Sequence, residues 1–151
     1  MVAYAPETTL PDTTPPHHDT PDATHTDSAG ARFDALVDIM RALRAQDGCP
    51  WDRAQTLASL RPFVLEETYE VLDAIESGSP AQLREELGDA LFELVFLAQI
   101  SEEAGDFSIA NVIDAVCAKL VRRHPHVFTS EGRHAAITTE QVNQQWERIK
   151  S

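Results

Sequence analysis

The chain has 151 residues, with 12 Lys and Arg against 25 Asp and Glu, for a formal net charge of −13. That length supports one domain with its own core, and the acidity argues against a nucleic-acid groove, since phosphate backbones are met by basic surfaces. A chain this acidic that handled phosphates would need metal ions to bridge the like charges.

Residues 1–30 hold five of the nine prolines, His17, His18 and His25, and five acids without one Lys or Arg. Such a composition cannot bury enough apolar surface to offset chain entropy, so a disordered tail is expected over 1–30 and one folded domain over 31–151. No basic region followed by an apolar run opens the chain, so no secretory signal is expected. From Arg32 the pattern turns helical: Phe33, Leu36, Val37, Met40 and Leu43 recur at helical spacing up to about Gln46. Asp47–Gly48–Cys49–Pro50 breaks that helix, and Asp52 is a candidate cap for a short helix after it. A turn around Thr56–Leu60 leads to a second helix with Pro62 in its first turn, ending at Ser77 before Gly78. Ser79, Pro80 and Gln82 open a third helix with a capping box, running to about Ala104 and Gly105. Ser108 caps a fourth, Ile109 to about Arg123, stopped by Pro125. Thr138 with Gln141 caps the last. No strand alternation competes, and the short connections predict an all-α antiparallel bundle of about five helices. The longest apolar stretch, Ala90 to Ile100, is interrupted by Glu93 and Gln99 and is too short for a bilayer. Cys49 and Cys117 lack metal or disulfide spacing and read as free thiols of a reducing cytosol.

Two acidic pairs stand out: Glu67 with Glu70, and Glu86 with Asp89, each spaced i, i+3. In an antiparallel hairpin, residues at equal height are equidistant from the turn. Glu67 pairs with Asp89 and Glu70 with Glu86, and both pairs centre on Gly78. The four carboxylates are therefore expected to meet at one level, about 12 Å from the turn given the helical rise. Four like charges repel unless something positive lies among them, and the natural guest is a hard divalent cation, Mg²⁺ first. On both helices the acids flank an apolar stripe expected to form a buried seam: Val64, Thr68, Val71, Leu72 and Ile75 on one, Leu87, Ala90, Leu91, Leu94, Val95 and Ala98 on the other. Glu93 extends the acid stripe by a turn, as an outer partner of the cluster or as a solvated residue. Gly88 sits mid-helix at a cost of about 1 kcal/mol against alanine, which points to close helix approach or room for a ligand.

Lys119, Arg122 and Arg123 crowd the last turn of the fourth helix, where cations suit the helix dipole. Beside a metal-loaded acidic site they also suit phosphate oxygens. Trp51 and Trp146 each read as core residues before base-stacking ones, and His124 and His126 as structural.

These segments together resemble a known family. Cys49-Pro50-Trp51-Asp52, Gln55-Thr56, Ser59-Leu60, Glu66-Glu67-Thr68-Tyr69-Glu70, Glu85-Glu86-Leu87-Gly88-Asp89 and the run Lys119 to Phe128 look like the MazG nucleoside triphosphate pyrophosphohydrolases, whose ExxE…ExxD motif falls on Glu67, Glu70, Glu86 and Asp89. The resemblance implies an all-α fold that forms a homodimer or higher homo-oligomer. It also implies Mg²⁺-dependent hydrolysis of (deoxy)nucleoside triphosphates to monophosphate and pyrophosphate, with Mn²⁺ able to substitute, in the cytoplasm and without nucleic acid or membrane partners. Glu67, Glu70, Glu86 and Asp89 would carry the metals, Lys119, Arg122 and Arg123 the phosphate tail, and Trp146 would lie near the base. Glu66, or one of the ligands Glu67 and Glu70, would orient or deprotonate the water. The chain resembles the N-terminal copy of the longer members, and Phe63 stands where active copies often carry a basic residue. The alternatives are a nucleotide-binding or assembly module without turnover, a di-iron bundle, and a narrower pyrophosphohydrolase acting on phosphoribosyl-ATP or on modified or pyrimidine nucleotides.

Overall fold

Local capping signals account for most of the helix boundaries. The computed structural model describes residues 28–129 and 137–150. Among them are five long helices, two single-turn helices and no strand: α1 Ala29–Arg44, α2 Pro50–Ala54, α3 Leu57–Ser77, α4 Pro80–Glu103, α5 Ile109–Arg123, α6 Pro125–Phe128 and α7 Thr139–Lys150. The fold is all-α, and α2 and α6, each opened by a proline, are additions to the expected five. No described helix is long and apolar enough to cross a membrane. Residues 1–27 of the expected tail lie outside the described residues. Ser28 caps α1, its Oγ accepting from Ala31 N at 3.2 Å, so that helix starts three residues before Arg32.

Three local expectations are corrected. Asp52 does not cap a short helix but lies buried inside one, α2, whose N-cap is Cys49; Thr56 caps α3 through a reciprocal box with Ser59. Because α3 begins at Leu57, Pro62 falls past its first turn, and the carbonyl of Ala58 loses its helical partner. The box at Ser79 is half made. Ser79 Oγ accepts from Gln82 N at 3.3 Å, while Ser79 N donates to Ser77 Oγ at 3.2 Å. The boxes at Ser108 with Asn111 and at Thr138 with Gln141 are complete.

The core lies where α1, α3 and α4 meet. Val37 and Met40 of α1, Leu60 of α3, and Val95 and Phe96 of α4 form one buried cluster, with Phe63, Phe92 and Ile100 packed around it. Arg44 ties α1, α2 and α4 together. Its guanidinium grips Glu103 through Nε at 2.8 Å and Nη2 at 2.6 Å, donates to the carbonyls of Asp52 and Gln55, and lies over the Phe96 ring. α3 and α4 pack chiefly on each other, and α5 rests on α4, α6 and α7.

The expected seam is buried only at its deep end. Val95 and Ala98 are buried, but Leu72, Ile75, Leu87 and Leu94 each leave half or more of their surface exposed. α5 has no buried residue, and its Val112, Val116, Leu120 and Val121 are exposed as well. An apolar stripe wider than one chain covers therefore runs over α3, α4 and α5. Trp51, expected in the core, is 52% exposed and meets Phe63 edge to face at 5.8 Å.

Candidate metal centre

Gly78 sets the geometry of the site. Its backbone is left-handed, with φ of 68°, a conformation that costs glycine little, and it turns α4 back along α3. In the resulting hairpin Glu67, Glu70 and Glu86 each present one carboxylate oxygen, and these oxygens lie within 4.8 Å of one another. Glu67 and Glu86 are half-buried and Glu70 is exposed. Asp89 falls outside that group of three but acts electrostatically on Glu67 and Glu86. Glu66 is exposed and is not among the three.

The electrostatics are one-sided. Burial holds the Glu67 carboxyl above its ordinary value, and the charges of Glu70, Asp89, Glu93 and Glu86 push it the same way. Glu86 is raised by burial and then by Glu70, Glu85 and Asp89. Among the described residues no basic side chain enters either balance. Glu67 Oε2 is buried and accepts no hydrogen bond from the described residues. An orphan buried carboxylate oxygen among like charges is costly unless a cation joins it. An all-oxygen donor set without His or Cys suits Mg²⁺ or Mn²⁺, so the residues present fit such an ion. The absence of histidine from the group removes the Glu-plus-His pattern of a di-iron bundle. Gly88 is not a point of close approach, because a Cβ there would meet nothing within 4 Å.

The basic residues form a separate feature. Lys119 and Arg122 are exposed on α5, beside a groove lined by Phe107, Val112 and Val116. Arg123 is half-buried, and its Nε is buried without a partner. Its carbonyl accepts from Trp146 Nε1 at 3.0 Å and from Gln145 Nε2 at 3.2 Å, which fastens α7 to the end of α5. Trp146 packs edge to face on His124 at 5.3 Å. Among the described residues no ion pair joins Lys119, Arg122 or Arg123 to the carboxylates.

Glu93 is the residue that periodicity undervalued. It is 8% exposed, its Oε2 is buried without a partner, and burial raises its carboxyl. Its place four residues after Asp89 was a signal; its depth depends on tertiary packing.

A helical bundle carrying an acidic, oxygen-only cluster on a glycine-closed hairpin defines the class: an all-α protein with a candidate divalent-cation site. Residues 55–128, which include the four carboxylates and the basic cluster, match the MazG nucleotide pyrophosphohydrolase domain. The chain is 46% identical over 123 residues to a nucleoside triphosphate pyrophosphohydrolase/pyrophosphatase MazG of Thermotoga maritima, across 82% of this chain and 46% of that relative. It is 47% identical over 121 residues to a nucleoside triphosphate pyrophosphohydrolase of Escherichia coli, across 80% of this chain and 45% of that one. The crystal structure of a mazG-related protein from Thermotoga maritima superposes with a TM-score of 0.64 at 26% identity, over 78% of this chain and 97% of that one. Residues 55–128 of the chain thus carry a MazG nucleotide pyrophosphohydrolase domain. The chain spans less than half the length of those two sequence relatives.

Proposed function

We propose that the chain hydrolyses ribo- or deoxynucleoside triphosphates to the monophosphate and pyrophosphate in the cytoplasm, clearing unwanted nucleotides from the pool. The observation that carries this is the convergence of Glu67, Glu70 and Glu86 within 4.8 Å, with no cation of the described residues acting on Glu67 or Glu86. The names of the two sequence relatives support it. Glu67, Glu70, Glu86 and Asp89 would hold Mg²⁺, or Mn²⁺ in its place. Once bound, the ion would neutralise triphosphate charge and acidify a water.

The chain's own residues supply the rest. Glu66, or a carboxylate of Glu67 or Glu70 left free, takes the proton of the attacking water. The water oxygen bonds to the α-phosphorus as the bond to the bridging oxygen breaks, and pyrophosphate leaves with that oxygen. Lys119, Arg122 and Arg123 hold the phosphate tail, and the unpartnered Arg123 Nε is a buried donor suited to a phosphate oxygen. The Trp146 N–H is committed to Arg123 O, so its ring alone is left for the base. The apolar surface over α3, α4 and α5 supports a homodimer or higher homo-oligomer. Free Cys49 and Cys117 suit the cytoplasm.

Pyrophosphate release across the common nucleotides, with Mg²⁺ and with chelator, tests the proposal, and Glu70→Ala turning over as fast as wild type would overturn it. Phe63 favours a second reading, a nucleotide-binding or assembly module. It packs against Trp51 and the core, and brings no charge to the inner end of the hairpin. Tight nucleotide binding without pyrophosphate release would select that reading, and release confined to one nucleotide would select a narrower pyrophosphohydrolase.

A further inference from the structure

We propose that Glu93 is a fifth carboxylate of this cation site, ligating a divalent ion jointly with Glu67 at the inner end of the hairpin. The proposal rests on the reading of the hairpin as a cation site and adds a ligand to it.

Glu93 and Asp52 are the buried acids of the described core. A carboxylate taken out of water is expensive unless paired or hydrogen-bonded. The chain shows how it satisfies a charge near the core: Arg44 closes on Glu103 with short bonds and caps two carbonyls besides. Glu93 receives nothing comparable. Among the described residues its Oε2 has no partner, and no cation offsets its burial. Glu67 Oε2 is orphaned in the same way.

Glu93 lies outside the three acids whose oxygens are within 4.8 Å of one another, but helix geometry directs its carboxylate towards that of Glu67. Side chains on an α-helix lean towards its N-terminus. The N-terminus of α4 is at the Gly78 turn, so Glu93 leans back towards the level of Asp89 and Glu67. The N-terminus of α3 is at the far end, so Glu67 leans away from the turn, towards the level of Glu93. The two side chains therefore converge from levels one helical turn apart. Consistently, Glu93 is one of the acids whose charge acts on Glu67. Two buried oxygens directed towards one another, neither with a hydrogen-bond partner among the described residues, call for a positive guest between them. The donors are hard oxygens, which selects a divalent ion of the Mg²⁺ and Mn²⁺ class. A single shared proton is the competing guest.

The test is Mn²⁺ titration of the full chain, followed by electron paramagnetic resonance of the free ion, for wild type, Glu93→Gln, Glu93→Asp and Glu70→Ala. Circular dichroism confirms that each variant is helical. Glu93→Gln keeps the volume and removes the charge, and is expected to weaken Mn²⁺ binding by about tenfold or more; Glu93→Asp is expected to recover part of it. Mn²⁺ affinity and stoichiometry in Glu93→Gln indistinguishable from wild type would overturn the proposal and select the shared proton. If Glu70→Ala loses Mn²⁺ while Glu93→Gln does not, the cation site stands and the fifth ligand falls. A wild-type chain that binds no Mn²⁺ refutes both. Thermal melting gives a second readout. Without metal Glu93→Gln is expected to melt no lower than wild type, and with excess Mn²⁺ wild type is expected to gain more. An equal loss in both conditions would make Glu93 a structural residue and overturn the assignment.

Discussion

Replacing Arg44 with alanine should unfasten α1 and α2 from α4. The side chain is 8% exposed, and its partner Glu103 is 38% exposed. Three losses combine. The bonds to the carbonyls of Asp52 and Gln55 come from a charged donor and contribute about 1 kcal/mol each. The pair with Glu103, discounted for solvent on the acid side, adds about 1 kcal/mol. The guanidinium over Phe96, 5.5 Å from the ring centre, adds roughly 0.5–1 kcal/mol. The total is about 4 kcal/mol, which for a domain of this size lowers the melting temperature by roughly 12–16 °C. Urea unfolding at fixed protein concentration measures it, because association of subunits would otherwise move the midpoint. Glu103→Gln is the control. It leaves the carbonyl bonds and the ring contact in place and should cost about 1 kcal/mol. A loss below about 1 kcal/mol for Arg44→Ala, or equal losses for the two variants, would refute the division between a buried anchor and a half-solvated ion pair.

Four further outcomes are expected. In chelator, Glu67, Glu86 and Glu93 have carboxyls above 4.5 in the fold, so the native state holds protons that the unfolded chain has released, and stability should rise as pH falls from neutral through those values. Glu103 has the opposite sign: Arg44 holds it below 4.5, and its contribution is lost as pH falls through that lower value. Melting temperature against pH should therefore peak on the weakly acidic side, and a steady fall on leaving neutrality would contradict the shifts. Gly88→Ala should stabilise the chain by about 0.5–1 kcal/mol in urea, since the added methyl meets nothing; if pyrophosphate release falls while stability rises, the open space belongs to the substrate. Glu86→Gln should lower kcat/KM for triphosphate hydrolysis by about a hundredfold while leaving the helical circular dichroism unchanged. Trp146→Phe removes the indole bond to Arg123 O but keeps the one from Gln145, and should cost about 1 kcal/mol, read as faster amide exchange in α7.

The helices were legible because their signals are local. Ser79, Ser108 and Thr138 cap, Gly78 and Gly105 stop, and apolar residues recur at helical spacing; Ser28, read as part of the tail, caps α1 instead. The acidic hairpin was legible for a related reason: one glycine fixes which residues share a level, and periodicity fixes which share a face. Depth was not legible. Glu93 and Asp89 lie on one stripe, yet one is buried and the other exposed, because α1 covers only the far end of the hairpin. The same cause left Leu72 and Leu87 uncovered where a seam was expected. Pro62 misled because the start of α3 was set by the Thr56–Ser59 box, a side-chain exchange stronger than the proline signal. Arg44 carried no sequence signal, since its partners at Asp52, Gln55, Phe96 and Glu103 meet only after the chain has folded.

The acids gathered around the Gly78 reversal all come from a single uninterrupted piece of backbone, and the two helices that bear them pack chiefly on each other. The site is thus a cassette. Duplicating or transplanting that segment moves the whole constellation at once, while the helices at either end remain free to diverge and reshape what the cassette accepts.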